Sequence, residues 1–198
     1  MIGCGSSAGQ GGIRVFGLLR RNRHERAGFM LYNTAVIAAR DPYYYRDLGV
    51  PDSLDGRFDL IGLHACLLIH RLRLLPPPGP ALAQAVFDAM FSDMDINLRE
   101  LGVSDLSVGK RVKTMWEAFH GRAAVYEAAF SSGDLPGLAT ALRRNVWRGE
   151  LAEPAAMEED AATDLARIAL AQDAHLAGQS SDALAGGLVS FLRAATAA

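Results

Sequence analysis

Apolar residues recur three and four positions apart along nearly the whole chain, and no run of alternating β-branched residues competes with that spacing. A chain patterned this way buries its apolar stripes by packing helix on helix. The spacing predicts helices near residues 14–22, 27–40, 57–74, 79–102, 108–131, 135–148, 155–177 and 182–195. Their ends carry residues that stop or start helices: Asp41-Pro42, the run Pro76-Pro77-Pro78, Gly102, and Asp134 with Pro136. At 198 residues and 50% hydrophobic content, the chain is long enough for one real core. The expected fold is all-α, a single compact domain of about seven to eight helices over residues 13–198 behind a flexible N-terminal arm. That arm, residues 1–12 (MIGCGSSAGQGG), is glycine and serine punctuation, expected to be disordered or a non-native extension. It lacks the Gly-Lys-Ser/Thr ending of a phosphate loop.

A formal net charge of -2 gives no global pull on nucleic acid, so DNA is not an expected partner. The charge is unevenly spread, with Arg14, Arg20, Arg21, Arg23 and Arg26 crowding one end and Glu150, Glu153, Glu158, Glu159, Asp160, Asp164 and Asp173 the other. The two ends are therefore candidates to attract each other or different partners. Cys4 and Cys66 lie in unlike contexts, which argues against a disulfide and for a reducing compartment. The N-terminus has no charged leader followed by an apolar segment. The longest apolar run, Leu60 to Ile69, is interrupted by His64 and is too short to span roughly 30 Å of hydrocarbon. The expected location is cytoplasmic, with peripheral contact at the cytoplasmic face of the inner membrane as an extension of it.

The segment Phe91 to Tyr126 sets two apolar stripes beside a polar cluster. Phe87, Met90, Phe91, Met94, Leu98 and Leu101 line one helix, and Val112, Met115, Phe119, Ala123, Tyr126 and Phe130 the next. A short loop over residues 102–107 predicts an antiparallel hairpin that gathers Arg99, Glu100, Lys110, Arg111 and Lys113 at one end. Lys110 and Lys113 are the only lysines in the chain. Gly121 is expected to admit a neighbouring backbone. This cluster is the candidate client- or partner-binding surface.

No catalytic residues emerge, and no metal or cofactor is expected. Asp93, Asp95 and Asn97 open like a calcium loop, but Leu98 replaces the required glycine and Ser104 the bidentate glutamate. Asp160 and Asp164 sit at i and i+4 as in all-α isoprenoid-type enzymes that hold a magnesium diphosphate, yet no second acidic cluster exists. An acidic first helical turn is the plainer reading. His64, His70, His120 and His175 are scattered, so a small haem carrier has only distant ligands to draw on. Tyr43, Tyr44 and Tyr45 read as core between two helices. The stretch Ile13 to Arg26 mixes apolar residues with arginines, and Phe16, Arg20, Arg21 and Arg23 are its candidate membrane or ribosome contacts. Packing of this stretch on the acidic C-terminal region is the competing reading.

The motif LRELGVSDLSVGKRVKTMWEAFHGRAAVY, preceded by FSDMD, closely resembles the central signature of the ubiquinol-cytochrome c chaperone family. YNTAVIAARDPYYYRDLGVPDSLDGRFDLIGLHACLLIHRL is similar to that family's opening helices and GLATALRRNVWRG to a later one, so residues 27–148 are covered. The resemblance implies a non-enzymatic factor for assembly of the cytochrome bc complex, also called ubiquinol-cytochrome c reductase. It would hold newly made cytochrome b, and the family's mitochondrial members also act with a small partner protein and near the ribosome. Alanine, arginine and glycine dominate the composition, which suggests a bacterial source. A general helical adaptor at a membrane surface or a ribosome is the alternative drawn from the arginine-rich stretch.

Overall fold

Residues 11–148 and 160–197 are described by the computed structural model. Among them are the helices α1 (Gly11–Ala39), α2 (Pro42–Arg46), α3 (Leu54–Arg73), α4 (Gly79–Glu100), α5 (Asp105–Ser132), α6 (Leu135–Val146), α7 (Ala161–Ala177), α8 (Ser181–Ala185) and α9 (Ala194–Ala197), with no strand. The all-α expectation holds. Local chemistry starts these helices where the sequence punctuates them. Ser53 accepts the Gly56 N–H at 3.1 Å, Asp134 that of Gly137 at 2.9 Å, and Asp160 that of Thr163 at 2.9 Å. Between α3 and α4 lie Pro76, Pro77 and Pro78, as the sequence predicts.

The core is organised around α3. From Leu60 to His70 only Ile61 is partly exposed, so the helix is buried nearly all round, and α1, α4, α5, α6 and α7 pack against it. No helix among the described residues is long and apolar enough to cross a membrane. His64, inside this helix, places Nδ1 2.8 Å from the Leu60 carbonyl and Nε2 3.2 Å from the Tyr44 hydroxyl. Because the Leu60 oxygen only accepts, Nδ1 carries the proton and Nε2 accepts from Tyr44. Tyr44 is fully buried and Tyr43 and Tyr45 half-buried, in line with the core reading.

Three expectations about the helices are corrected, and a fourth about Gly121. First, α1 is one helix where two are predicted, because residues 22 to 27 contain neither proline nor glycine and every residue there tolerates a helix. Close approach occurs on this helix. A Cβ on Gly28 would lie 2.5 Å from the Ala85 Cβ on α4, and nearby Tyr32 donates to Asp93 at 2.7 Å. Gly121, expected to serve such a contact, meets nothing within 4 Å. Second, no helix runs over 182–195. The pair Gly186-Gly187 ends α8, with Gly187 at φ +83°, and a non-helical strap follows to Arg193. Gln172 of α7 and Gln179 just beyond its end replace the lost helical hydrogen bonds. Gln172 accepts from Leu192 N–H at 2.9 Å and donates to its carbonyl at 2.8 Å, and Gln179 does the same for Ser190 at 3.0 and 2.7 Å. Third, Leu101 belongs to no buried stripe, being 61% exposed past the end of α4. Its stripe partners Met90, Met94 and Leu98 are buried, as are Phe119, Tyr126 and Phe130 across the hairpin.

The suggested attraction between the chain's two ends has no support among the described acids. Asp160 pairs with Arg143, Asp164 with Arg167 at 2.7 Å, and Asp173 faces His70. Residues 149–159, which hold the other acids of that stretch, lie outside the described residues, as do residues 1–10.

Candidate interaction surface

The end of the α4–α5 hairpin is built by a tight reversal. Gly102, at φ +79°, lets its N–H reach the Arg99 carbonyl at 2.9 Å while Val103 N–H reaches the Leu98 carbonyl at 3.1 Å, a Schellman closure that turns the chain after α4. Phe119 locks the two helices together below this end, its ring lying 5.9 Å from that of Phe87 and 6.0 Å from that of Phe91.

The five residues of the polar cluster divide by role. Arg99 donates from Nε to Asp95 at 2.7 Å and pairs with Asp105 at the start of α5, so its guanidinium staples the hairpin end. The hydrogen bond to Asp95 holds it further in the charged form. Lys113 stands 3.8 Å from Glu117 in an exposed pair of little energetic weight. Glu100, Lys110 and Arg111 are exposed and form no ion pair among the described residues.

Large apolar side chains are exposed on the same hairpin. Ile96 is 52% exposed, Leu101 61% and Trp116 44%. The Trp116 ring is held against His120 at a centroid distance of 4.0 Å. None of the three figures in the sequence-derived cluster, although a signal exists. Ile96 and Trp116 are large apolar residues out of phase with the buried stripes of their helices, and Leu101 follows the last helical turn. Lys110 and Arg111 thus belong to the same hairpin as the exposed Ile96, Leu101 and Trp116. Such a surface suits an apolar segment carrying acidic or carbonyl groups.

Elsewhere the chemistry is structural. Asp93 accepts from Tyr32 of α1, while within α4 Asp95 pairs with Arg99 and Asn97 donates to the Asp93 carbonyl at 2.7 Å. Among the described residues no group of three His, Cys, Asp or Glu is placed to hold a metal ion. A cleft of about 150 Å³ lies between α3, α4 and α5, over Cys66 and beside the Arg73–Glu127 pair. Sites for drug-sized ligands typically have about 300–1,000 Å³. Burial pushes the Cys66 thiol well above its ordinary range, so it stays protonated. The side chains of Phe16, Arg20 and Arg21 lie outside the described residues, and Arg23 is exposed on α1.

A family model described as ubiquinol-cytochrome C chaperone matches residues 46–191. The Saccharomyces cerevisiae protein CBP3, mitochondrial, is 28% identical over 121 residues, 60% of this chain and 36% of the yeast protein. The Xenopus laevis ubiquinol-cytochrome-c reductase complex assembly factor 1 is 21% identical over 132 residues, 67% of this chain and 66% of the frog protein. The chain therefore spans about a third of the first relative and just under two thirds of the second. The crystal structure of the Cbp3 homolog from Brucella abortus superposes with a TM-score of 0.77 at 35% identity, over 91% of this chain and 98% of that one.

Proposed function

Since this chain belongs to the ubiquinol-cytochrome c chaperone family, we propose that it is a non-enzymatic assembly factor for the ubiquinol-cytochrome c reductase complex and binds newly made cytochrome b. The observation that carries the binding mode is the α4–α5 hairpin within the matched residues, which exposes Ile96, Leu101 and Trp116 together with Lys110 and Arg111, neither of them in an ion pair among the described residues. A membrane subunit awaiting its partners exposes apolar surface next to polar loop ends. The three apolar side chains cover the former, while Lys110, Arg111 and Lys113 meet acidic or carbonyl groups of the latter. Arg99 and Glu100 frame this contact, Arg99 by keeping the hairpin end closed. No bond is made or broken, so the work is reversible covering of surface that would otherwise aggregate.

A photoreactive residue at position 101 or 116, activated in intact cells, tests this reading. Crosslinked peptides of cytochrome b are expected. Their absence, with efficient crosslinking to unrelated proteins, would contradict it.

A further inference from the structure

Helix α1 is apolar on two faces. Ala27, Leu31, Tyr32, Ala35, Val36 and Ala39 are buried against the body of the protein. On the outward face, at spacings of three and four, stand Arg26, Phe29, Met30, Asn33, Ile37 and Arg40. Phe29 is 60% exposed and Ile37 64%, values that leave most of each side chain in water without a partner among the described residues. Leu188, 62% exposed, widens this apolar crest, because Gly187 packs directly against Ala27 and Met30. At the far end the strap residues Phe191 to Arg193 and α1 enclose an open cleft of about 520 Å³, with Ile37 in its wall and Arg40 and Arg193 beside it.

Arginines outnumber acids on this side, where Glu25 on α1 and Asp41 in the cleft wall are the acids among the described residues. Arg23, Arg26, Arg40 and Arg193 are exposed and form no ion pair among the described residues. The sequence of α1 and the residue after it contains six arginines, Arg14, Arg20, Arg21, Arg23, Arg26 and Arg40, against the single acid Glu25. We infer that the outward face of α1, with Leu188 and Arg193 of the strap, is a docking surface for an anionic phospholipid bilayer. An apolar crest with cationic residues at both ends lies in the boundary between headgroups and acyl chains, where the apolar groups sink in and the arginines meet phosphates. The face runs about 21 Å along the helix between Arg26 and Arg40. A second copy is disfavoured by charge, since two such faces set side by side bring arginine against arginine in either orientation. This surface is remote in sequence from the hairpin end and does not depend on the cytochrome b reading.

The test uses the full chain sedimented with vesicles of phosphatidylcholine, or of phosphatidylcholine mixed with phosphatidylglycerol, at low and high salt. Binding to the anionic vesicles alone, weakened by salt, is expected. Phe29→Ser with Ile37→Ser, and separately Arg26→Glu with Arg40→Glu, should each weaken the partition constant about tenfold or more. All four positions are exposed, and circular dichroism verifies the fold of both variants. Undiminished binding by both variants would overturn the assignment, as would equal binding to neutral vesicles. So would a concentration-dependent dimer that the Phe29 and Ile37 substitutions abolish, or a crosslinker at Asn33 that captures protein and no lipid.

Discussion

Arg122 on α5 forms an ion pair with Asp59 on α3, whose carboxylate is 2% exposed, and Arg148 donates to the same carboxylate at 3.0 Å from beyond α6. One buried charge thus ties together the hairpin, the central helix and the end of α6. Asp59→Asn should lower stability by about 3 kcal/mol, because it leaves the largely buried Arg122 guanidinium without its counter-charge. Denaturant unfolding measures this. A loss below about 0.5 kcal/mol, the usual size of a surface effect, would show the network to be dispensable.

Acid should destabilise the fold through His64. Burial lowers its pKa from 6.5 to about 4, so folding favours the neutral ring. The associated stability is fully present above 6.5 and is lost as pH falls toward 4, about 3 kcal/mol in all. Comparing thermal midpoints of the native chain and His64→Gln from pH 7 to 4 isolates the histidine. The native chain should show the steeper decline, and parallel curves would refute the assignment.

Two glycine substitutions should change stability in opposite directions. Gly28→Ala pushes a methyl group into Ala85, where overpacking costs about 1–3 kcal/mol. Gly121→Ala meets nothing within 4 Å and gains about 0.5–1 kcal/mol from the lower entropy of the unfolded chain. Chemical denaturation of both variants decides, and destabilisation by Gly121→Ala would indicate a contact this structure does not contain.

The hairpin end should separate binding from folding. Lys110→Glu with Lys113→Glu alters exposed groups whose one ion pair is long, so stability should move by no more than about 0.5 kcal/mol while cytochrome b capture falls. Arg99→Ala should instead loosen the hairpin end, seen as faster amide exchange around residues 100–105, because its guanidinium joins Asp95 to Asp105. Equal loss of stability and capture in the lysine variant would make the lysines structural.

Periodicity made the long helices legible because helix-on-helix burial repeats every turn, and Asp134 or Pro76 to Pro78 mark ends by local chemistry alone. What escaped was decided between elements. Nothing in the spacing around Gly28 and Gly121 says which glycine faces Ala85 and which faces solvent. The strap after Gly187 depends on Gln172 in α7 and Gln179 just beyond it, a pairing invisible to any local window. At the hairpin end the basic residues were readable, whereas Ile96 and Trp116 stand out only once the buried face of each helix is known.

The most direct test of the central claim is the content of assembled ubiquinol-cytochrome c reductase in cells that lack this protein, with another respiratory complex measured alongside. The proposed role predicts a selective fall in cytochrome b and in the assembled complex, restored by the native chain and not by the Lys110→Glu, Lys113→Glu variant. Unchanged levels of cytochrome b and of the complex would contradict it.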